Sequence, residues 1–384
     1  MTRMRVALVG DYPLDPSRIS GGPQAVLAYL LEGLKQFDRL DLHVVSANKQ
    51  IRQASQFQRD NVTFHFVPHP RLPLELGFFV LRQRLRHVLQ QIGPDLVHVQ
   101  SAIVYSIIYP GTRYATIVTT HNLPGTEAHF APNWINQRRL SLHQKWMSRI
   151  FFEHARHVAT ISEYIREGLD PHMQANFYPL DNPVADAFFE LPSDQSVPAR
   201  LLFVGLLGRR KRPDLALEAL ALARQEIPEL HLQFAGAAID PALHAKMREL
   251  VAQNALERNV EFLGHLSEME VLGAYREASV LLLTSELETS PMVVQQAMAA
   301  GKAVVATKVG GVPFLINDRR TGLLAEPNNA QQIAEALIEL ALDPEFRQNV
   351  AEAARQEARR RFKPEVVAAK VYAIYQEILD SKWR

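Results

Sequence analysis

The chain has 384 residues, of which 47% are hydrophobic and 22% charged, with a formal net charge of +1. Such a composition can bury sizeable cores, and at roughly 100–200 residues per domain it leads to an expectation of two domains. The near-neutral balance gives no reason to expect a nucleic-acid partner. The absence of cysteine excludes disulfides, thiolate metal sites, Fe–S clusters and a cysteine nucleophile.

The N-terminal MTRMRVALVGDYP runs directly into a strand, without the long apolar region and cleavage site of a signal peptide. No apolar run reaches the ~18–20 residues of a membrane span. Leu72–Leu81 is short and is followed by Arg82, Arg84 and Arg86. A cytoplasmic protein is expected, soluble or peripheral at the inner membrane face.

In chain order, short β-branched runs alternate with helical patterns, as in an α/β fold with parallel sheets. Strands are predicted at Arg5–Val9, Leu42–Val45, Val62–Val67, Leu96–Val99, Ala115–Thr120 and His157–Thr160, with helices at Ala25–Gln36, Phe79–Gln91 and Gln137–Glu153. From Pro179 to Ala199, three prolines among Asp, Ser and Gln read as an irregular linker. The alternation then restarts with strands at Arg200–Val204, Leu230–Phe234, Val260–Leu263, Val280–Thr284 and Ala303–Thr307. Asp214–Arg224 and Ala330–Ala341 show helical apolar spacing, and a helix over Pro364–Ile378 closes the chain. The expected organisation is a Rossmann-like domain over 1–182, a linker over 183–199, a second Rossmann-like domain over 200–362 and a final helix over 363–384. Ligands of open parallel sheets bind beyond the carboxyl ends of the strands, so residues just after each strand are the candidates for chemistry.

After the first strand, Gly21-Gly22 opens a helix, where paired glycines allow close backbone approach and free amides favour an anion such as a diphosphate. His121 follows Ala115–Thr120 at once and can hydrogen-bond a sugar hydroxyl or handle a proton. Gly205 begins a loop that carries Arg209, Arg210 and Lys211, cations able to stabilise a leaving diphosphate. After Val280–Thr284, Ser290 is expected to be the N-cap and Pro291 the first residue of a helix, with Met292 and Val293 offering amides to phosphate or sugar oxygens. Glu288 is placed to accept from sugar hydroxyls and Gln296 to reach a ribose. Each feature also has a plain structural reading: a turn starting a helix, a packed histidine, a solvated basic loop, an ordinary cap. No Asp-x-Asp follows a strand, so no metal clamp is expected.

Together these residues resemble the retaining glycosyltransferases of family 4, which have the GT-B fold of two Rossmann-like domains facing across a cleft. The likeness runs from Gly21-Gly22 through His121, Gly205 to Lys211 and Glu288 to Gly301, to Val309-Gly310-Gly311-Val312-Pro313 and Thr321-Gly322-Leu323-Leu324. It implies that the Gly-Gly loop and Lys211 contact the donor diphosphate, that His121 approaches the donor sugar, and that Glu288 holds its hydroxyls. It also implies an acceptor side in the first domain, a donor side in the second, and a last helix crossing back to the first. The chain departs from the family pattern at Gln296, where a second acid is usual, and at Leu206, Pro291 and Phe314, where Arg, Gly and an acid are common.

The function this implies is metal-independent transfer, with retention, of a hexose-type sugar from a nucleotide-diphosphate sugar to a glycan or lipid-linked acceptor, with no cofactor. A nucleotide-sugar epimerase of the same fold and a non-catalytic sugar-nucleotide binding protein are the rival expectations. Leu74–Val80 with Arg82, Arg84 and Arg86 suits either a peripheral membrane contact or a core-packed helix with a solvated basic side.

Overall fold

The computed structural model describes residues 3–15, 19, 21–72, 74–109, 114–123, 148–192 and 196–381. They form two compact units: Met1–Pro183 joined by Pro364–Arg384, and Val184–Lys363. Each is built on a parallel sheet of the Rossmann-like kind.

The strands of unit 1 are β1 (Met4–Val9), β2 (Leu40–Asn48), β3 (Ser55–Arg59), β4 (Val62–Pro68), β5 (Leu96–Val99), β6 (Ala115–Thr120), β7 (His157–Thr160) and β8 (Asn176–Pro179). Their order is β3-β4-β2-β1-β5-β6-β7-β8, and every pair is parallel except β3 with β4. The strand β3 had no sequence signature, because Ser-Gln-Phe-Gln-Arg is exposed throughout and only pairs at an edge, across a turn at Asp60 whose φ is 54°. Between β1 and β5 the order changes direction, which is the switch point of the sheet. The helix expected over Gln137–Glu153 lies outside the described residues up to 147, and residues 148–154 are helical.

The C-terminal helix Pro364–Ser381 packs in unit 1 against the helix Gly22–Leu34. They touch at Gly33, where an added Cβ would stand 2.3 Å from the Pro364 carbonyl oxygen and 2.7 Å from Ala368 Cβ. Close by, the rings of Phe37 and Tyr372 stack at 4.6 Å.

Unit 2 holds β9 (Arg200–Val204), β10 (His231–Ala235), β11 (Val260–Gly264), β12 (Val280–Leu283), β13 (Ala303–Thr307) and β14 (Leu323–Ala325), all parallel, in the order β11-β10-β9-β12-β13-β14. Its switch point falls between β9 and β12. The stretch expected as an irregular linker over 183–199 is in part packed structure of this unit. Asp186–Phe189 is a short helix, Phe188 meets Tyr275 edge-on, and the buried Arg355 donates to the carbonyls of Phe189 (2.5 Å) and Leu191 (2.9 Å). One turn of helix among prolines is too short to show periodicity, so side-chain burial rather than sequence pattern marks it. Among the described residues no helix is long and apolar enough to cross a membrane.

Candidate active site

In unit 2 the loops after β9 and β12 are stitched together at the switch point. The first passes Gly205 and makes one 3-10 turn, Arg209–Lys211. Gly205 has φ 139°, a region that favours glycine, and a Cβ there would lie 3.3 Å from Lys211 Cε. Thr284 Oγ1, just past β12, donates to the carbonyls of Arg212 (2.7 Å) and Lys211 (3.1 Å), while the Glu286 amide donates to Arg210 O at 2.8 Å. The loop after β13 joins them, since the Gly311 amide donates to Glu288 O at 2.8 Å and Thr307 Oγ1 to Ser285 O at 2.6 Å.

These contacts converge on the Glu288 carboxylate. Its Oε1 lies 2.7 Å from Lys211 Nζ and 3.1 Å from Arg210 Nη1, and it accepts from Ser285 Oγ at 2.7 Å. Glu288 is only 6% exposed. Burial by itself would raise its pKa, but the two cations and the Ser285 hydroxyl outweigh burial and hold it below the ordinary carboxylate range. The result is a fixed anion with two cations around it, the arrangement that can present positive charge to a phosphate while offering an acceptor to hydroxyls.

The structure brings Lys211, Arg210 and Glu288 together and leaves Arg209 apart. Arg209 Nε instead donates to Asp240 Oδ2 at 3.0 Å from a largely exposed position. The helix expected to be capped by Ser290 runs from Met292 to Ala299, with Pro291 as its cap residue and no side-chain cap. Ser290 Oγ accepts from the buried Gln295 Nε2 at 2.7 Å, so that side chain is drawn toward the core. Met292 and Val293 supply the first two amides of this helix, which have no intrahelical partner. Gln296 lies beside the buried Tyr275, whose hydroxyl is 3.5 Å from Gln296 Oε1. Among the described residues no three His, Asp or Glu side chains gather as a metal centre would require.

Unit 1 places its candidates along the carboxyl edge of its own sheet. Gly21 precedes the helix Gly22–Leu34 in extended backbone, and no atom lies within 4 Å of where its Cβ would be. His121 directly follows β6, with Nε2 3.0 Å from Gln100 Oε1, and burial pushes its pKa down to about 4. Gln100 follows β5 and leans on Gly10 at the end of β1, where a Cβ would come 2.9 Å from Gln100 Cβ. Gln100, His98, Ser285 and Tyr375 were not among the residues singled out from the sequence. The position of Gln100 after a strand could have shown it, whereas the partners of Tyr375 are far away in the chain.

Burial also takes His65 to about 4, with His43 adding to the shift, and His98 to about 3, with His121 adding. A histidine whose folded pKa lies below its unfolded value contributes stability that is complete above about 6.5 and is lost as pH falls. Each of His65, His98 and His121 is therefore expected to cost unit 1 up to about 1.4 kcal/mol per pH unit between pH 6.5 and 4. Urea unfolding at pH 7, 6 and 5, read by hydrogen exchange in β4, β5 and β6, checks this. A flat profile would show that these rings are not buried as described.

A family profile described as "Glycosyl transferases group 1" matches residues 189–357, and one described as "Glycosyltransferase Family 4" matches residues 20–177. An uncharacterized glycosyltransferase of Methanocaldococcus jannaschii is 26% identical over 356 residues, covering 90% of this chain and 93% of the relative. The sucrose-phosphate synthase of Thermosynechococcus elongatus superposes with a TM-score of 0.77 at 20% identity, over 99% of this chain and 100% of that one. The Anabaena HepE protein, solved in complex with UDP and glucose, does so with a TM-score of 0.73 at 16% identity, over 97% and 100%.

Proposed function

Because this chain belongs to the family 4, group 1 glycosyltransferases and has their GT-B fold, we propose that it transfers a hexose-type sugar from a nucleotide-diphosphate sugar to a glycan or lipid-linked acceptor with retention. The observation that carries this reading is the Lys211–Glu288–Arg210 cluster at the switch point of unit 2. In the proposed step the bond from the anomeric carbon to the phosphate oxygen breaks, and its electron pair leaves with the nucleotide diphosphate. Lys211 and Arg210, with the amides of Met292 and Val293, stabilise the charge that develops there without a metal ion. The acceptor oxygen bonds to the anomeric carbon on the same face, and its proton passes to the departing phosphate oxygen. Glu288 accepts from sugar hydroxyls, Gln296 from a ribose hydroxyl, and the Gly21-Gly22 amides and His121 serve the substrates from the carboxyl edge of unit 1.

The HepE complex with UDP and glucose makes UDP-glucose the first donor to try. A lipid-linked acceptor is favoured by Leu72, Leu76 and Phe79, large apolar side chains that are exposed at or near the start of the helix Leu74–Ile92, with Arg82 and Arg86 one and two turns further on. In a thermal-shift screen of nucleotide-sugars, a true donor at 100 times its Kd stabilises the fold by about 2.7 kcal/mol. Incubation of that donor with glycans and with lipid-linked acceptors in anionic vesicles, with and without chelator, then reads transfer and anomeric configuration. Conversion of the donor with no acceptor would mark an epimerase, binding without transfer or hydrolysis a binding protein, and an inverted product would overturn the mechanism.

A further inference from the structure

The residue after Lys211 holds a backbone conformation that an L side chain resists. Arg212 has φ 47° and ψ 54°, in the left-handed region, where a Cβ crowds the following carbonyl. Pro213 comes next, and a proline pushes the residue before it toward extended backbone. Arg212 nevertheless closes the 3-10 turn Arg209–Lys211 and opens the helix Pro213–Ala223, so its left-handed turn sets the direction of one against the other. The helix is anchored in the core of unit 2 by Leu215, Leu217 and Leu220. Any departure of Arg212 from this conformation therefore falls on the short turn, which carries Lys211.

The side chain of Arg212 is clasped. Its Nε lies 3.0 Å from Asp214 Oδ1 and its Nη2 3.4 Å from Asp214 Oδ2, and its Nη1 donates to Asn328 Oδ1. Asp214 is buried, and Lys246 Nζ, from the helix Pro241–Gln253, donates to its Oδ2 at 2.8 Å. Burial by itself would raise the pKa of Asp214, but Lys246 and Arg212 outweigh it and keep the carboxyl ionised. A forked pair fixes the plane of the guanidinium, and here it ties Arg212 to the first turn of the helix that follows.

We infer that Arg212 and Asp214 are positioning residues for Lys211, their fork offsetting the strain of the left-handed turn that aims Lys211 Nζ at Glu288 Oε1. This rests on the reading of Lys211 as the cation that meets the departing diphosphate. The Arg212 guanidinium is paired with Asp214, whereas Glu288 takes Lys211 and Arg210. What Arg212 brings to the site is the backbone that its side chain holds.

Arg212→Ala and Arg212→Gly both remove the fork and leave Asp214 with Lys246, so they differ only in the Cβ at position 212. Alanine must bear the left-handed backbone unaided, a bias of about tenfold against it, whereas glycine adopts it freely. Arg212→Ala is therefore expected to transfer with kcat about tenfold below wild type and donor KM within about twofold. Arg212→Gly should stay within about twofold of wild type in both. Equal kcat in the two variants overturns the proposal: if both are high the turn holds itself, and if both are low the guanidinium itself is needed. The Glu288 carboxyl, followed by ¹³C in glutamate-labelled protein and assigned with Glu288→Gln, reads the turn without any reaction. Its pKa should rise in Arg212→Ala, as Lys211 leaves it, and stay low in Arg212→Gly. The same value in both variants overturns the proposal. A wild type without transfer removes the reading of Lys211, while the Glu288 values still decide the role of Arg212. Should Arg212→Ala not fold, Asp214→Asn loosens the fork from its other side. It should lower kcat and raise the Glu288 pKa in the wild-type background, and change neither in Arg212→Gly, which has no fork to loosen. An equal effect in both backgrounds assigns Asp214 to the fold alone and overturns the proposal.

Discussion

Replacing Lys211 by alanine is expected to lower the transfer rate by about 10²–10³-fold, the usual loss when one fixed group that stabilises developing charge is removed. Lys211 is mostly buried and held by the Thr284 bond to its carbonyl, so its ammonium is positioned before the reaction begins. No neighbour can replace it fully. Arg210 is more exposed and shares its guanidinium with Leu287 O, and Arg209 is tied to Asp240. The same substitution also acts on stability through Glu288. The depressed pKa of that carboxyl contributes stability that is present above about 4.5 and lost as pH falls through the folded value. Without Lys211 the largest opposing cation is gone, burial pulls the pKa upward, and the acid side of the stability curve moves to higher pH. Truncating one partner of a buried pair costs about 3–5 kcal/mol, and the remaining Arg210 contact places the expected loss at the lower end. Single-turnover transfer and urea unfolding from pH 4 to 8 separate the two effects. Wild-type turnover in a folded Lys211→Ala protein would remove this cluster from the reaction.

Gly33→Ala is expected to destabilise unit 1 by about 3 kcal/mol, near the top of the range for overpacking. Alanine is the better helix former by about 1 kcal/mol, so propensity alone predicts the opposite sign. Packing decides it, because the new Cβ would sit 2.3 Å from a backbone oxygen of Pro364 and 2.7 Å from Ala368 Cβ. A side chain can rotate away, but a carbonyl moves only with its helix. Separation of the two helices should also raise hydrogen exchange in Pro364–Ser381 while leaving β9 to β14 as before. A variant within about 0.5 kcal/mol of the parent would show that the helices do not meet at this glycine.

Where the sequence was legible, burial on both faces was the reason. Leu96–Val99, Ala115–Thr120, His157–Thr160, Arg200–Val204 and Ala303–Thr307 are strands with the bounds expected of them, because a short run buried on both faces must be apolar or β-branched along its whole length. Ser55–Arg59 is polar and exposed, Asn176–Pro179 is short and ends in proline, and Leu323–Ala325 has three residues, so none carries such a run. For the candidate site, the residue types were readable and the partnerships were not. Three consecutive cations after β9 announce a basic loop, but which of them faces Glu288 depends on the handed turn at Arg209–Lys211 and on the Thr284 hydroxyl. The cap at Ser290 failed for a similar reason, since a buried Gln295 competes for the hydroxyl that would have bonded an amide.

The division of the chain into a continuous unit, Val184–Lys363, and a split one, Met1–Pro183 with Pro364–Arg384, also bears on the order in which the protein takes shape during synthesis. Translation delivers all of unit 2 before the helix that covers Gly22–Leu34 and carries Tyr375 has been made. The first half of the molecule to leave the ribosome is thus the last to close. Until it does, the face around Gly33 is left uncovered and His98 Nδ1 lacks its phenol partner. A chain that ends just short of Pro364 and is tethered by a linker long enough to clear the ribosome exit tunnel should carry a finished second unit and an unfinished first one, the state in which a chaperone has most to protect.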